Sequence, residues 1–374
     1  MQANRALSQN GVRLRGLGVR PVEGTPEETD AAASAALAES VMTASSAYPD
    51  DSATGECVSV EHAPRRRHRP APRRGILVRA MTTIDDALER DSRIPDLDWT
   101  VFPDGTVRDV FEAPSGGLAR VSLGNPRRGR VVLIPGVTGS KEDFTLMFPL
   151  LADAGYRVES FDLAGQYESH AAGPQHLTPP RERYDYGLYI DDLVSILEAD
   201  PTPAHVLGYS FAGLVAQLTL AERPELFASL TLLSTPPASG QVFRGVKRIG
   251  WLSNHLTPHQ AAGLLIWGVS NNLNKVPPQR FAFVKSRFDL TRRTSVDDIA
   301  RAAMSTPDIT GIVRAAGIPK LVAVGAHDLW PTEQHADYAE RIGADLAVYK
   351  TGHSPCETAP HQLVRDMLRA FDRT

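Results

Sequence analysis

From residue 130 onward, short apolar runs alternate with amphipathic stretches, and this alternation restricts the fold more than any other feature of the chain. RVVLI at 130–134 is a continuous apolar run closed by Pro135-Gly136, the pattern of a strand buried on both faces. In KEDFTLMFPLLADAG at 141–155, Phe144, Met147, Leu150 and Leu151 fall at helical spacing, with Pro149 as an interruption and Gly155 as a stop. YRVESFD at 156–162 alternates like a strand, ERYDYGLYIDDLVSILEAD at 182–200 predicts an amphipathic helix, and AHVLGY at 204–209 is again a short buried strand. The series continues with a helix at 211–222, strands at 230–234 and 320–325, a helix at 333–343, a strand at 345–350 and a last helix at 360–371. Such an order implies right-handed crossovers, and so an α/β fold: a mostly parallel central sheet with helices on both faces. DVFEA at 109–113 and LARVSLG at 118–124 are close enough to form an antiparallel hairpin at one edge.

The alternation fails between about 238 and 315, where helical segments carry Trp251, Trp267, Phe281, Phe283 and Phe288. That stretch is too long for a plain loop in a compact domain. It reads as a helical cap inserted over the C-terminal edge of the sheet, where open parallel sheets bind ligands.

Residues 1–80 have a different composition, with 11 Arg and no Lys against 9 acids, and Tyr48 as their single aromatic. A segment of this kind cannot bury enough apolar surface to offset its ordering entropy, so a disordered tail is expected. APRRRHRPAPRRG at 63–75 is basic, but prolines break it and no aromatic is interleaved for base stacking. Met81 opens a lead-in of ordinary composition through residue 104. The expectation is that the folded protein starts there, with the upstream residues an over-extended reading frame. Residues 105–374 form the expected main domain.

The whole chain carries a net charge of −4. That gives no basic field for nucleic acid or anionic membrane. Two cysteines, Cys57 and Cys356, exclude a disulfide framework or a cysteine zinc site. No apolar run approaches the roughly 20 residues that span a bilayer. A soluble, cytoplasmic protein acting on a small molecule is expected; the oligomeric state is left open.

The sharpest local signal is HVLGYSFAGLVAQ at 205–217, a strand running through Gly208-Tyr209-Ser210-Phe211-Ala212-Gly213 into a helix. A nucleophile elbow needs small residues two before and two after its serine because the turn is tight, and Gly208 and Ala212 meet that demand. The hydroxyl is then held at a helix N-terminus, where backbone amides favour developing negative charge. A serine nucleophile needs a base, and the base an orienting acid. GAHDLWP at 325–331 leaves a strand and presents Asp328; TGHSP at 351–355 leaves the next strand and presents His353. Taken singly, Asp328 also suits a helix cap and His353 a turn. Three such residues, each just past a different strand, are far harder to reach by accident. His327 rivals His353 as the base. LIPGVTGSKEDF at 133–144 is a turn that can aim a backbone amide at a substrate oxyanion, so the amides of Val137 and Phe211 are assigned to an oxyanion hole. Tyr209 and Trp267 are assigned to the substrate pocket.

With these residues in place, the chain resembles the α/β-hydrolase superfamily, in its cap-bearing esterase, lipase and small-molecule hydrolase branch, over about residues 105–374. FDLAGQYES at 161–169 is similar to the family segment D-x-x-G-x-G-x-S. There are departures: Pro135-Gly136 and Gln166-Tyr167 stand where the family usually has His-Gly, and Ala212 where glycine is common. Ser210 excludes the aspartate-nucleophile dehalogenases and epoxide hydrolases. The resemblance implies a serine hydrolase of the chain order Ser210, Asp328, His353, working without cofactor or metal; His255 and His259 lack an obvious third ligand. The default substrate is a small or medium, partly apolar carboxylic ester. A perhydrolase or haloperoxidase-like enzyme with the same triad, and a ligand-binding protein without turnover, are the alternatives.

Overall fold

The computed structural model describes residues 86–240, 263 and 276–374. The expected tail at 1–80, the start at Met81, and Trp251, His255, His259 and Trp267 of the cap lie outside the described residues.

Eight strands form one sheet: β1 (Val107–Ala113), β2 (Gly116–Leu123), β3 (Arg130–Ile134), β4 (Arg157–Phe161), β5 (Ala204–Tyr209), β6 (Phe227–Leu233), β7 (Lys320–Gly325) and β8 (Asp345–Tyr349). Their spatial order is β1-β2-β4-β3-β5-β6-β7-β8. β2 is antiparallel to both β1 and β4, and every pairing from β4 to β8 is parallel. The hairpin at the edge and the parallel body are thus both present.

Helices that lie wholly among the described residues are α1 (Met147–Asp153), α2 (Tyr186–Glu198), α3 (Phe211–Glu222), α4 (Pro278–Leu290), α5 (Arg293–Ala303), α6 (Thr310–Ala315), α7 (Thr332–Ile342), α8 (Pro355–Thr358) and α9 (Pro360–Phe371). The segment expected as one helix at 141–155 is split into a 3-10 turn at Lys141–Phe144 and α1. Buried ion pairs described below fix that turn, and they override the helical spacing of its apolar residues.

Successive strand residues point to opposite faces. Val132, Ile134 and Val206 join one core with Leu188 and Leu193 of α2 and Val215 of α3. Val131, Leu133 and Leu207 join the other with Met147 and Leu151 of α1 and Leu363 and Met367 of α9. With helices on both sides, central strands have no solvent face and read as unbroken apolar runs. The lead-in docks on this body: Asp91 accepts hydrogen bonds from the N–H groups of His361 and Gln362 at the start of α9, 2.9 and 3.1 Å, and Trp99 is buried beneath the Arg280 guanidinium, 4.4 Å from its ring. Among the described residues no helix is long and apolar enough to cross a membrane.

Candidate active site

β5 runs directly into α3 through Ser210, whose φ of +54° and ψ of −120° lie where few non-glycine residues sit. The turn is held by the Ser210 N–H, which donates to the Leu233 carbonyl at 2.8 Å, and by the Gly213 N–H, which donates back to the Ser210 carbonyl at 3.0 Å. A Cβ at Gly208 would come within 2.6 Å of the Ala212 carbonyl oxygen, and one at Gly213 would run into the Thr235 side chain. Glycine therefore lets strand and helix meet, and the strained serine is pushed out at the helix end.

Asp328 follows β7 and His353 follows β8. The two loops are joined by backbone hydrogen bonds from Ala326 N–H to Tyr349 O at 2.7 Å and from His327 N–H to Thr351 O at 2.9 Å. His353 Nδ1 stands 2.5 Å from Asp328 Oδ1, and His353 Nε2 stands 3.2 Å from Ser210 Oγ. With its proton on Nδ1, the imidazole donates to the carboxylate and offers a free lone pair to the serine hydroxyl. Burial opposes ionisation of Asp328, but the facing His353, together with hydrogen bonding from His335 and His353, outweighs it and holds the carboxyl down at about 2. The acid is therefore a carboxylate at neutral pH. His327, the rival base, is exposed, and its backbone N–H donates to the neighbouring loop. Tyr209 is buried, with its hydroxyl 2.8 Å from Ser354 Oγ and its ring centroid 5.4 Å from that of His353, so it supports the histidine loop from below.

Beside Ser210 lies the turn after β3. A Cβ on Gly136 would sit 3.1 Å from Ser210 Cβ, so only glycine brings this loop so close to the serine. Thr138 has a φ of +61°, and its N–H donates to Oε1 of the fully buried Gln166 at 2.6 Å. Gln166 thereby pins the peptide that follows Val137. Phe211 is the first residue of α3, so its N–H has no acceptor within the helix.

The model of the alpha/beta hydrolase family matches residues 131–366, well over half of the chain. The chain belongs to the alpha/beta hydrolase family. A comparison with curated protein sequences finds no match. Among solved structures, the hydrolase is similar to a carboxylesterase structure from Nitrososphaera gargenis, at 19% identity and a TM-score of 0.56 over 71% of this chain and 98% of the other. It is also similar to a bromoperoxidase from Bacillus anthracis, at 17% identity and a TM-score of 0.57 over 72% of this chain and 100% of the other. An epoxide hydrolase from Vigna radiata reaches 13% identity and a TM-score of 0.57 over 72% and 98% of the two chains. At such identities the likeness is one of fold, and three chemistries share it.

Two features of this hydrolase escape a reading of its sequence. The first is His335, buried on α7 with Nε2 3.3 Å from Asp328 Oδ2. The second is a set of buried ion pairs beneath the turn after β3. Asp143 Oδ1 takes Arg280 Nη2 at 2.7 Å and Arg287 Nη1 at 2.6 Å, both from α4, and Arg280 Nε also reaches Glu357 Oε2 at 2.9 Å. Burial opposes the charge on Asp143, but the two guanidiniums hold its carboxyl below the usual range. Lys141 Nζ lies 2.8 Å from Asp162 Oδ2 and 2.7 Å from Glu168 Oε2. Each of these residues is an ordinary surface type in the sequence, and nothing in its spacing announces burial. Among the described residues no cluster of His, Cys, Asp or Glu is placed to hold a metal ion.

Proposed function

We propose that this protein is a serine hydrolase that cleaves a small or medium, partly apolar carboxylic ester through an acyl-enzyme. The observation that carries the reading is the unbroken line from Ser210 Oγ through His353 to Asp328, at 3.2 and 2.5 Å, with the serine on a positive-φ turn. In the proposed reaction Ser210 Oγ attacks the ester carbonyl carbon while His353 Nε2 takes the hydroxyl proton. The carbonyl oxygen gathers negative charge and is met by the amides of Val137 and Phe211. Collapse of the tetrahedral intermediate breaks the bond to the alcohol oxygen, which leaves with the proton held by His353. Water, deprotonated by the same imidazole, then attacks the acyl-serine, releasing the acid and restoring the hydroxyl. Asp328 keeps the imidazole in the tautomer that can do this and balances its transient positive charge.

The likeness to a carboxylesterase agrees with an ester as the substrate. The likeness to a bromoperoxidase agrees with a second reading, in which hydrogen peroxide replaces water as acceptor of the acyl group and a peracid is released. One set of measurements tests both. Wild-type protein should label with a fluorophosphonate probe, Ser210→Ala should not, and a series of p-nitrophenyl esters should show turnover that falls for long acyl chains. An unlabelled wild type that turns over no ester of the series would remove the hydrolase reading. Peracid formation faster than hydrolysis in peroxide would favour the second.

A further inference from the structure

Helix α7 begins four residues after Asp328, and its buried residues are His335, Tyr338, Ala339 and Ile342, the three-and-four spacing of an inward face. An imidazole on such a face is wholly removed from water, and His335 is 0% exposed. Its Nε2 stands 3.3 Å from Asp328 Oδ2. The other carboxylate oxygen is already engaged: Oδ1 accepts from the Leu329 N–H at 2.6 Å and faces His353 Nδ1 at 2.5 Å. Among the described residues neither Asp328 Oδ2 nor His335 Nε2 has an aligned hydrogen-bond partner, so the two face each other across a 3.3 Å polar contact that no other group satisfies. Trp330, buried, places its ring edge-on to His335 with centroids 6.4 Å apart and tilted to His353 at 6.2 Å, which keeps water from the carboxylate.

We infer that His335 is a positioning residue that sets the basicity of His353 through Asp328, by sharing the carboxylate's charge from the side away from the serine. The inference rests on the hydrolase reading above for its use in turnover, but the coupling itself is a property of the three side chains. A carboxylate facing one imidazole spends its charge on that imidazole and favours the protonated form. A second polar group at Oδ2, the Nε2 of His335 at 3.3 Å, draws part of that charge away from His353. Because the Leu329 N–H holds Oδ1, losing His335 concentrates charge toward His353 and does not free the carboxylate to turn. The titratable groups that face Asp328 are these two histidines, one from α7 and one from the loop after β8; His353 in turn faces Ser210 from the elbow and the rings of Tyr209 and Trp330.

The test uses the full chain with 15N-labelled histidine, as wild type, His335→Phe and His335→Gln. The imidazole of His353, assigned by its loss in His353→Ala, is titrated by NMR, and kcat/KM for p-nitrophenyl butyrate is followed against pH. In His335→Phe the His353 midpoint and the acid limb of kcat/KM should both move up by about one pH unit, while the high-pH plateau stays within about threefold. His335→Gln, whose amide can donate to Oδ2, should bring both back toward wild type. Equal midpoints in all three proteins would overturn the inference, as would a fallen plateau with an unmoved limb, the sign of packing alone. Should circular dichroism show His335→Phe unfolded, His335→Asn, too short to reach Oδ2, takes its place with the same expected rise. A moved midpoint in a protein that neither labels nor hydrolyses would keep the coupling and remove the hydrolase reading; labelling and turnover with an unmoved midpoint would do the reverse.

Discussion

Asp328 and Asp143 are both 2% exposed, and both lie in turns at the C-terminal edge of the sheet, yet they are surrounded by different chemistry. Asp143 faces two guanidiniums from α4, and Asp328 faces two imidazoles. A guanidinium keeps its charge at every pH a folded protein meets, and its planar fork fixes the geometry of the pair. The Asp143 cluster can therefore do one thing, which is to clamp α4 onto the turn after β3. An imidazole can gain and lose a proton near neutral pH. The same buried carboxylate beside imidazoles has neighbours able to pass a proton, which is the role proposed for it above. Burial alone does not mark a reactive acid; the partner's capacity to change charge does.

The largest effect that would sharpen this contrast is on the reactive side. Ser210→Ala and Asp328→Asn should each lower kcat on p-nitrophenyl butyrate by on the order of 10⁴-fold, with the double variant little worse, because the groups act as a unit. The unfolding midpoint of Ser210→Ala should stay near wild type, since the residue sits in a turn at the sheet edge; Asp328→Asn also gives up the stabilisation of its carboxylate. An Asp328→Asn protein of near-normal kcat would dissolve the distinction between the two aspartates.

Next in size is the clamp. Asp143→Ala leaves Arg280 and Arg287 buried with an unbalanced charge, and should cost about 3–5 kcal/mol in urea unfolding. A cost under about 1 kcal/mol would mean the guanidiniums find water or Glu357 instead, and the cluster would no longer count as a structural clamp.

The pH dependence of stability separates the two acids further. Asp328 in the folded protein titrates at about 2, below the roughly 3.9 of an unfolded aspartate, so its contribution is complete above pH 4 and is lost as pH falls through about 2. The stability gap between wild type and Asp328→Asn should close across that window, by about 2 kcal/mol in all. A gap that stays constant from pH 5 to pH 2 would show that the histidines do not hold the carboxylate.

The smallest expected effect concerns Gln166, which touches neither aspartate but holds the loop between them and Ser210. Gln166→Leu should lower kcat about tenfold with KM little changed, since the turn carrying the Val137 amide, proposed above to meet the oxyanion, loses its hold. A matching rise in KM would point instead to a role in binding the substrate's ground state.

The fold was largely legible because its signals are local. RVVLI, AHVLGY and KLVAVG read as buried strands from composition alone, and Gly208 and Ala212 read as a tight turn because they set small residues two before and two after Ser210. Ser210, Asp328 and His353 were legible as candidates for a similar reason: each follows the end of a strand within one to four residues. The 3-10 turn at Lys141–Phe144 was not legible. Its apolar residues suit a helix, and the buried ion pairs that fix it come from residues 21 to 144 positions away.

What the sequence determined by itself is the order of strands and helices and the three residues at strand ends, since periodicity and turn chemistry act over a few neighbouring positions. What only the tertiary structure decided is which charges meet out of water. His335 follows Asp328 by seven residues on a helix of ordinary composition, and Arg280 and Arg287 lie more than 130 residues from Asp143. Whether such groups are solvated or buried together depends on the crossing of helices over the sheet edge. The free energy of a charge is set by the polar groups and water around it in space, and the order of residues along the chain does not record them.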